Sequence, residues 1–370
     1  MIQRQLKLRL TRAQKAILAV WVNNLTGVWN FAVRKIGLDA TDGIYYSQND
    51  FQNMLAGHSS KLGIPSQVIQ GVLRGAFFAW RRCLKKTSKR PRLKGSSNKL
   101  NYIPFPSQFG APRQNKVRIP GIGLTRFHAQ ELPDGAIKCG RIVRRASGWY
   151  LCLFIDAQPN TIPITGNGQV GVDPGFISLL TLSTGEKIEH PKELQRRQDR
   201  LAQAQRGHDL RLAARIQEKI ANQRKDRNHK LSRRLVAENE LICFSKDNLK
   251  GLSKRFGKSV ASSATGQLRQ MFVYKCRAGG RRYVEVASKN STRTCSTCGA
   301  LSGPTGWAGL KVRIWGCASC GTTHDRDVNA AINTLLSGAG AALESGSNGI
   351  PHLETKGIQF PRVLTYDGLE

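Results

Sequence analysis

Four cysteines fall into two pairs, Cys295 with Cys298 and Cys317 with Cys320, and eighteen residues separate the pairs. A Cys-x-x-Cys turn points two thiolates at one ion, and two such turns complete a tetrahedron. Gly299 and Gly321 follow the second cysteine of each pair and suit the tight knuckle there. The spacing therefore predicts one structural Zn²⁺ with no open coordination position. A thioredoxin-like dithiol uses a single Cys-x-x-Cys, so redox chemistry is disfavoured. His324 lies just beyond the set. Four thiolates saturate the ion, so it reads as a helix-start or surface histidine.

Acids at two other places carry a different chemistry. Two-metal phosphodiester hydrolysis needs carboxylates that clamp hard divalent cations about 3.5–4 Å apart. Asp173 ends a short apolar run, Gln169-Val-Gly-Val-Asp-Pro-Gly. As a strand end in an α/β sheet it would stand at the carboxyl edge, where such sheets place their ligands; as a plain turn it would only precede Pro-Gly. Asp327 opens a predicted helix in Asp325-Arg-Asp-Val-Asn-Ala-Ala. A charge serving only the helix dipole would suit Asp325 better. Ala330 and Ala331 let that helix approach a sheet closely.

Two blocks of elements must position these groups. Residues 1–10 alternate as a strand, Thr11 is a candidate N-cap, and Ala13 to about Ile36 carries an apolar stripe at helical spacing. Trp21 and Trp29 lie on or near that stripe and read as core. A second helix covers about 65–84 and runs into the basic segment 85–95. That segment contains Pro and Ser, so it reads as a loop or extended arm. Short β-like runs at 116–119, 140–145 and 149–155 suggest a small antiparallel barrel with the first helices inserted beside it. Residues 160–167 form a polar linker. Strands then alternate with helices: strands near 169–173, 176–186, 240–245 and 282–287, a long helical pair over 191–240, and a helix over 262–278. This is an α/β pattern. Glu238 and Glu240 read as solvated helix-end charges, and the Gly-, Ala- and Ser-rich stretch from Ser337 as a disordered tail.

Composition points to the partner. With 58 Lys and Arg against 24 Asp and Glu, the net charge is +34. Charge of that size does not set a fold, but it implies a polyanion, and both halves of the chain are basic. No run approaches the ~18 apolar residues of a spanning helix, and no signal-peptide core is visible, so no membrane partner is expected. Cys83, Cys139, Cys152, Cys243 and Cys276 are scattered and read as reduced core thiols. These fit a reducing, cytoplasmic location beside the nucleoid. Candidate phosphate contacts are Arg81, Arg82, Lys85, Lys86, Lys89, Arg90 and Arg92 on the arm, and Arg196, Arg197, Arg206, Arg211 and Arg215 on the helical pair.

From about 168 to 335 the sequence resembles the TnpB family of transposon-encoded RNA-guided nucleases, relatives of the type V CRISPR effectors. The resemblance rests on Gly171-Val-Asp-Pro-Gly-Phe-Ile-Ser-Leu-Leu, Asn248-Leu-Lys-Gly-Leu, Ser291-Thr-Arg-Thr-Cys-Ser-Thr-Cys-Gly, Trp315-Gly-Cys-Ala-Ser-Cys-Gly and His324-Asp-Arg-Asp-Val-Asn-Ala-Ala-Ile-Asn. The first 160 residues match in style alone. The resemblance implies an α/β RNase H-like (RuvC) nuclease domain with an inserted zinc ribbon, plus an N-terminal wedge-like β-barrel with a helical insertion that binds guide RNA and a short motif in target DNA. It implies Mg²⁺-dependent cleavage of double-stranded target DNA beside a short motif, with a guide RNA as partner and a monomer within the ribonucleoprotein. By the same resemblance Asp173 is the first catalytic aspartate and Asp327 the last. The division expected is 1–165 for the barrel, 166–290 for the nuclease core, 291–323 for the ribbon, 324–336 for the last helix and 337–370 for the tail.

One departure stands out. The family's middle glutamate precedes the Lys-Gly turn, and by that register Ser245 occupies its place. Glu285, in Tyr283-Val-Glu-Val-Ala, is the favoured replacement, because an acid between valines in a strand costs free energy unless it is used. Asp247, two residues beyond Ser245, is a second candidate, and a set with no third carboxylate is the remaining one. An RNA-guided repressor without cleavage and an RNase H-like transposase are the competing functions. Ser245 favours the first; the ribbon before the last aspartate disfavours the second.

Overall fold

The computed structural model describes residues 1–370 except 107–109, 159–160, 176, 191, 247–262, 310 and 345–370. Asp247 and the Asn248-Leu-Lys-Gly-Leu segment thus lie outside the described residues. The chain divides into two compact units, Met1–Asn160 and Thr161–Glu370.

The first unit is built on six antiparallel strands: β1 (Ile2–Arg9), β2 (Tyr102–Phe105), β3 (Lys116–Ile119), β4 (Gly123–Phe127), β5 (Ala136–Arg145) and β6 (Gly148–Asp156). They pair in the order β2-β5-β6-β1-β4-β3. Four helices lie between β1 and β2 in sequence: α1 (Arg12–Asp39), α2 (Gln48–Asn53), α3 (His58–Leu62) and α4 (Ser66–Leu84). Thr11 caps α1 through a reciprocal pair with Gln14, so two orphan N–H groups of the first turn are satisfied. By length and composition α1 could cross a membrane, contrary to the expectation from its sequence. Its apolar face is used otherwise: Leu18, Trp21, Val22, Leu25, Val28, Ala32 and Val33 are buried in the core of this unit.

The basic segment after α4 is an arm, as its composition predicts, but it is pinned. Trp29 Nε1 donates to the Arg92 carbonyl at 3.1 Å, and Asn30 exchanges two hydrogen bonds with the Lys94 backbone. The Arg90 guanidinium lies 5.2 Å from the Trp80 ring centre. Trp29 thus holds the arm, while Trp21 is core.

The second unit carries a five-stranded sheet: β7 (Gly168–Pro174), β8 (Ser178–Leu182), β9 (Lys187–Glu189), β10 (Asn239–Lys246) and β11 (Arg282–Ala287), in the order β11-β10-β7-β8-β9. β7, β10 and β11 run parallel, while β8 and β9 run antiparallel to their neighbours. The helices are α5 (Lys192–Arg206), α6 (Leu210–Glu238), α7 (Thr265–Ala278), the short α8 (Gly306–Gly309) and α9 (Arg326–Glu344). Leu231 and Leu235 of α6 and Leu268 and Phe272 of α7 pack with Val172, Phe244 and Tyr283 in one core. Cys243, Val284 and Val286 instead pack with Leu335 and Ala339 of α9. Strand side chains alternate faces, so α6 and α7 cover one face and α9 the other.

The last helix corrects the expected disorder for residues 337–344, since α9 continues to Glu344, while the rest of that tail, 345–370, lies outside the described residues. Small residues that look like a linker serve here as close contacts. A Cβ on Gly338 would lie 2.3 Å from Cys243 Sγ, and one on Gly171 would lie 2.0 Å from the Ala331 carbonyl. Ala330 and Ala331 are fully buried. Gly171→Ala is therefore expected to destabilise by about 3 kcal/mol or more. That would appear as a fall of about 6–12 °C in the melting temperature. An unchanged melt would show that α9 does not rest on β7 in solution.

Candidate metal centres

The zinc-type site forms as the spacing predicts. The four Sγ atoms of Cys295, Cys298, Cys317 and Cys320 lie within 4.8 Å of one another. Two of the separations are 3.7 Å (Cys295–Cys320) and 3.6 Å (Cys298–Cys317). A tetrahedron with Zn–S bonds of about 2.3 Å has edges of about 3.8 Å, so the thiols already stand at zinc spacing. The Ser302 hydroxyl donates to Cys317 Sγ at 3.1 Å. That bond, helped by the Cys320 and Ser319 backbone N–H groups, pulls the Cys317 thiol down to about 5, so one ligand is held as the thiolate a metal needs. Gly299 and Gly321 adopt positive φ at the two knuckles.

His324 is not the surface residue its position suggests. It is 7% exposed, lies 4.8 Å from the Trp315 ring centre and brings Nε2 to 2.9 Å from Cys295 Sγ. It reaches this place because β12 (Ile314–Gly316) and β13 (Thr323–Asp325) pair with Trp315 opposite His324.

Two asparagines of α9 bind the first knuckle to the helix. Asn329 Oδ1 accepts from the Ser296 N–H at 2.9 Å, and its Nδ2 donates to the Ser291 and Thr294 carbonyls. Asn333 Nδ2 donates to the same two carbonyls at 2.8 and 2.7 Å. Their i, i+4 spacing in Asn-Ala-Ala-Ile-Asn was a readable signal, yet nothing in the sequence says what they hold.

The carboxylates separate into two groups. In register, Asp173 lies opposite Thr181, and Thr181 opposite Lys187. Lys187 Nζ binds Asp325 at 2.6 Å. Asp325 in turn accepts from the Asp327 and Val328 N–H groups, each at 3.1 Å, so it caps α9. Asp327 is left with a weak contact to Arg313 at 3.4 Å. Asp173 also shares a face with Gly171, which meets Ala331 one helical turn after Asp327. Row and helix contact together direct both aspartates to one end of one sheet face.

Glu285 does not join them. Val172, Phe244 and Glu285 form one cross-strand row, so Glu285 faces away from Asp173 by the two-residue alternation. Its carboxylate meets Arg269 of α7 at 3.2 Å and Lys246 at 3.4 Å, and Tyr283 OH donates to it at 3.4 Å. Those cations offset the cost of an acid between valines. The register thus sets Glu285 apart from the two aspartates, whereas the sequence reading makes it their third metal ligand. The residue one step along β10, on Asp173's face, is Ser245, which is 1% exposed with no partner for its hydroxyl among the described residues. Among the described residues the four cysteines form the only metal-type cluster of three or more such ligands.

Of the proposed phosphate contacts, Arg81, Arg82, Lys85, Lys86, Lys89, Arg90 and Arg92 are exposed in the first unit. In the second, Arg206, Arg211 and Arg215 are exposed and Arg197 is half-buried; the side chain of Arg196 lies outside the described residues.

The α/β sheet and the ribbon clipped to its last helix define a chain with a Cas12f1-like terminal region. A family model described as "Cas12f1-like, TNB domain" matches residues 266–334, and one described as "Probable transposase" matches 154–255. A Streptomyces pristinaespiralis protein provisionally named RNA-guided DNA endonuclease is 33% identical over 298 residues, which cover 75% of this chain and 73% of that protein. InsQ of Escherichia coli K12, with the same provisional name, is 24% identical over 74% of this chain and 75% of its own. The fold is similar to that of Cas12f1 solved with sgRNA and target DNA: TM-score 0.55 at 15% identity, covering 88% of this chain and 83% of that one. The chain belongs to the TnpB family.

Proposed function

We propose that this protein is an RNA-guided, Mg²⁺-dependent DNA endonuclease. The observation that carries the reading is the convergence of Asp173 and Asp327 on one end of one sheet face, in a chain 33% identical to a protein provisionally named for that activity. The sheet order, with three antiparallel strands followed by two parallel ones, fits an RNase H-type, RuvC-like core. The six-stranded sheet of the first unit and its inserted helices fit the wedge-like domain. Carboxylate oxygens are the ligands that Mg²⁺ prefers. Asp173 and Asp327 would hold it, and the bound metal supplies an activated water and a stabilised leaving oxygen. The cysteine site would hold Zn²⁺ as a closed structural centre. Guide pairing would read sequence, while the +34 chain reads phosphate and duplex shape.

A second reading, an RNA-guided DNA-binding repressor with weak or no cleavage, draws on a specific observation. The middle position of the carboxylate set is Ser245, and Glu285 points to the other face. Incubating the purified ribonucleoprotein with target plasmid and Mg²⁺ separates the two. Nicked or linear plasmid that depends on guide sequence supports the endonuclease. Binding without cutting supports the repressor, and Ser245→Glu should then raise cleavage. Absence of any co-purifying RNA would sink both.

A further inference from the structure

We infer that the ion pair between Lys187 and Asp325 sets the spacing of the two aspartates, which makes Lys187 a positioning residue for the divalent-metal site. This deepens the endonuclease reading above and rests on it for the role of Asp173 and Asp327 as metal ligands.

Asp325 uses its two oxygens for two tasks. Oδ1 accepts from the Asp327 and Val328 N–H groups, and Oδ2 takes the Lys187 ammonium at 2.6 Å. Asp327 follows two residues later, about 3 Å along the helix axis. Whatever fixes Asp325 therefore fixes the start of α9 and the carboxylate it carries. Lys187 in turn stands in the cross-strand row Asp173–Thr181–Lys187, on one sheet face. A chain of contacts thus runs from the first aspartate through two strand pairings, one ion pair and one helix cap to the last. The hairpin that carries Lys187 is itself held. The Ser183 N–H donates to the Gly171 carbonyl at 2.9 Å, and the Gly171 N–H donates to Ser183 Oγ at 3.0 Å, which ties the end of β8 to β7. Glu186, the residue before Lys187, accepts from the Arg234 guanidinium of α6 through both oxygens, at 2.8 and 3.3 Å. Since α6 and α9 cover opposite faces of the sheet, adjacent residues of one hairpin grip a helix on each side.

Stability does not account for the pair. Its side chains are 39% and 34% exposed, and ion pairs that open to solvent add little to folding. What it supplies is geometry. A metal constellation works only when its ligands are held to within about 0.5 Å. The contact of Gly171 with Ala331 sets how closely α9 approaches β7; the ion pair sets where its first turn stops beside the β8–β9 hairpin. Charge alone would act with the opposite sign. An ammonium on the metal face repels a divalent cation, so its removal would tighten metal binding. Removal of a positioning group loosens it.

The test uses the full-length, zinc-loaded protein freed of RNA, with Mn²⁺ as the probe. Bound Mn²⁺ is read by electron paramagnetic resonance, and the binding that remains in Asp173→Asn is subtracted as background. Lys187→Met is expected to weaken Mn²⁺ binding about tenfold, the lower end of what outer-shell partners of metal ligands supply. Asp325→Asn, which keeps a capping oxygen, should do the same. The double variant should bind no more weakly than either single one, because both act through one contact. Lys187→Arg should restore binding to within about threefold of the parent, and the melting temperature should hold throughout. Mn²⁺ binding in Lys187→Met equal to or tighter than the parent's, an additive loss in the double variant, no rescue by Lys187→Arg, or a loss of Mn²⁺ matched by a lowered melting temperature would each overturn the inference. Guided cleavage that fails in the parent while this Mn²⁺ pattern persists would overturn the endonuclease reading and leave the positioning role standing. A parent that cuts while Lys187→Met binds Mn²⁺ normally would do the reverse.

Discussion

Asp173→Asn and Asp327→Asn are each expected to lower guided DNA cleavage by more than about 100-fold. Even outer-shell partners of metal ligands cost 10–100-fold when removed, and a direct ligand should cost more. Both changes keep side-chain size, so guide binding and the melting temperature should move little. Glu285→Gln should do the reverse: cleavage within about threefold of the parent, with the loss appearing as stability. Removing the charge leaves Arg269 and Lys246 without their shared acid, a loss of about 1–3 kcal/mol if each charge-assisted contact has its usual net worth. Timed plasmid cleavage beside thermal unfolding of the same preparations checks both. If Glu285→Gln abolishes cutting at unchanged melting temperature, the face assignment is wrong and Glu285 is a ligand after all.

Loss of the ribbon metal should be nearly as damaging to cleavage, by another route. Structural zinc binding in small domains amounts to about 10–16 kcal/mol, comparable to or above the stability of a whole domain. Cys317→Ser, or chelation, should therefore release one equivalent of zinc and unfold the ribbon locally. Asn329 and Asn333 then lose the carbonyls of Ser291 and Thr294. The first turn of α9, which carries Asp327, loses its anchor, so adding Mg²⁺ back should not restore cutting. Asn329→Ala tests the link alone: zinc should stay bound while cleavage falls about tenfold, the worth of one or two buried hydrogen bonds. Zinc-free protein that still cuts in Mg²⁺ would show that the two centres are uncoupled.

The two centres differed in how much of them could be read beforehand. The cysteine site is local, since each Cys-x-x-Cys turn builds half of it and its glycines supply the left-handed knuckles. The capping of α9 was also within reach: Asp325 rather than Asp327 bonds the first N–H groups, as the dipole argument anticipates. The end of α9 is not legible in the sequence because Gly, Ala and Ser give one composition for a linker and for a helix that must touch a sheet; Gly338 against Cys243 distinguishes them only once the partner strand is known. Pro and Ser mark 85–95 as a loop or extended arm, but its anchors, Trp29 and Asn30, lie more than sixty residues away in sequence and are not legible from it.

Sequence alone determined the four-cysteine metal-type cluster, the strongly basic charge and the family, because each rests on local spacing, on summed charge or on ordered motifs. Only the tertiary structure decided which acid stands with which. A strand side chain takes one of two faces, and a shift of one residue exchanges them. That register is set by pairing among β7, β10 and β11, strands spread over more than a hundred residues of sequence, so the valines beside Glu285 could mark it as unusual but not say which way it points.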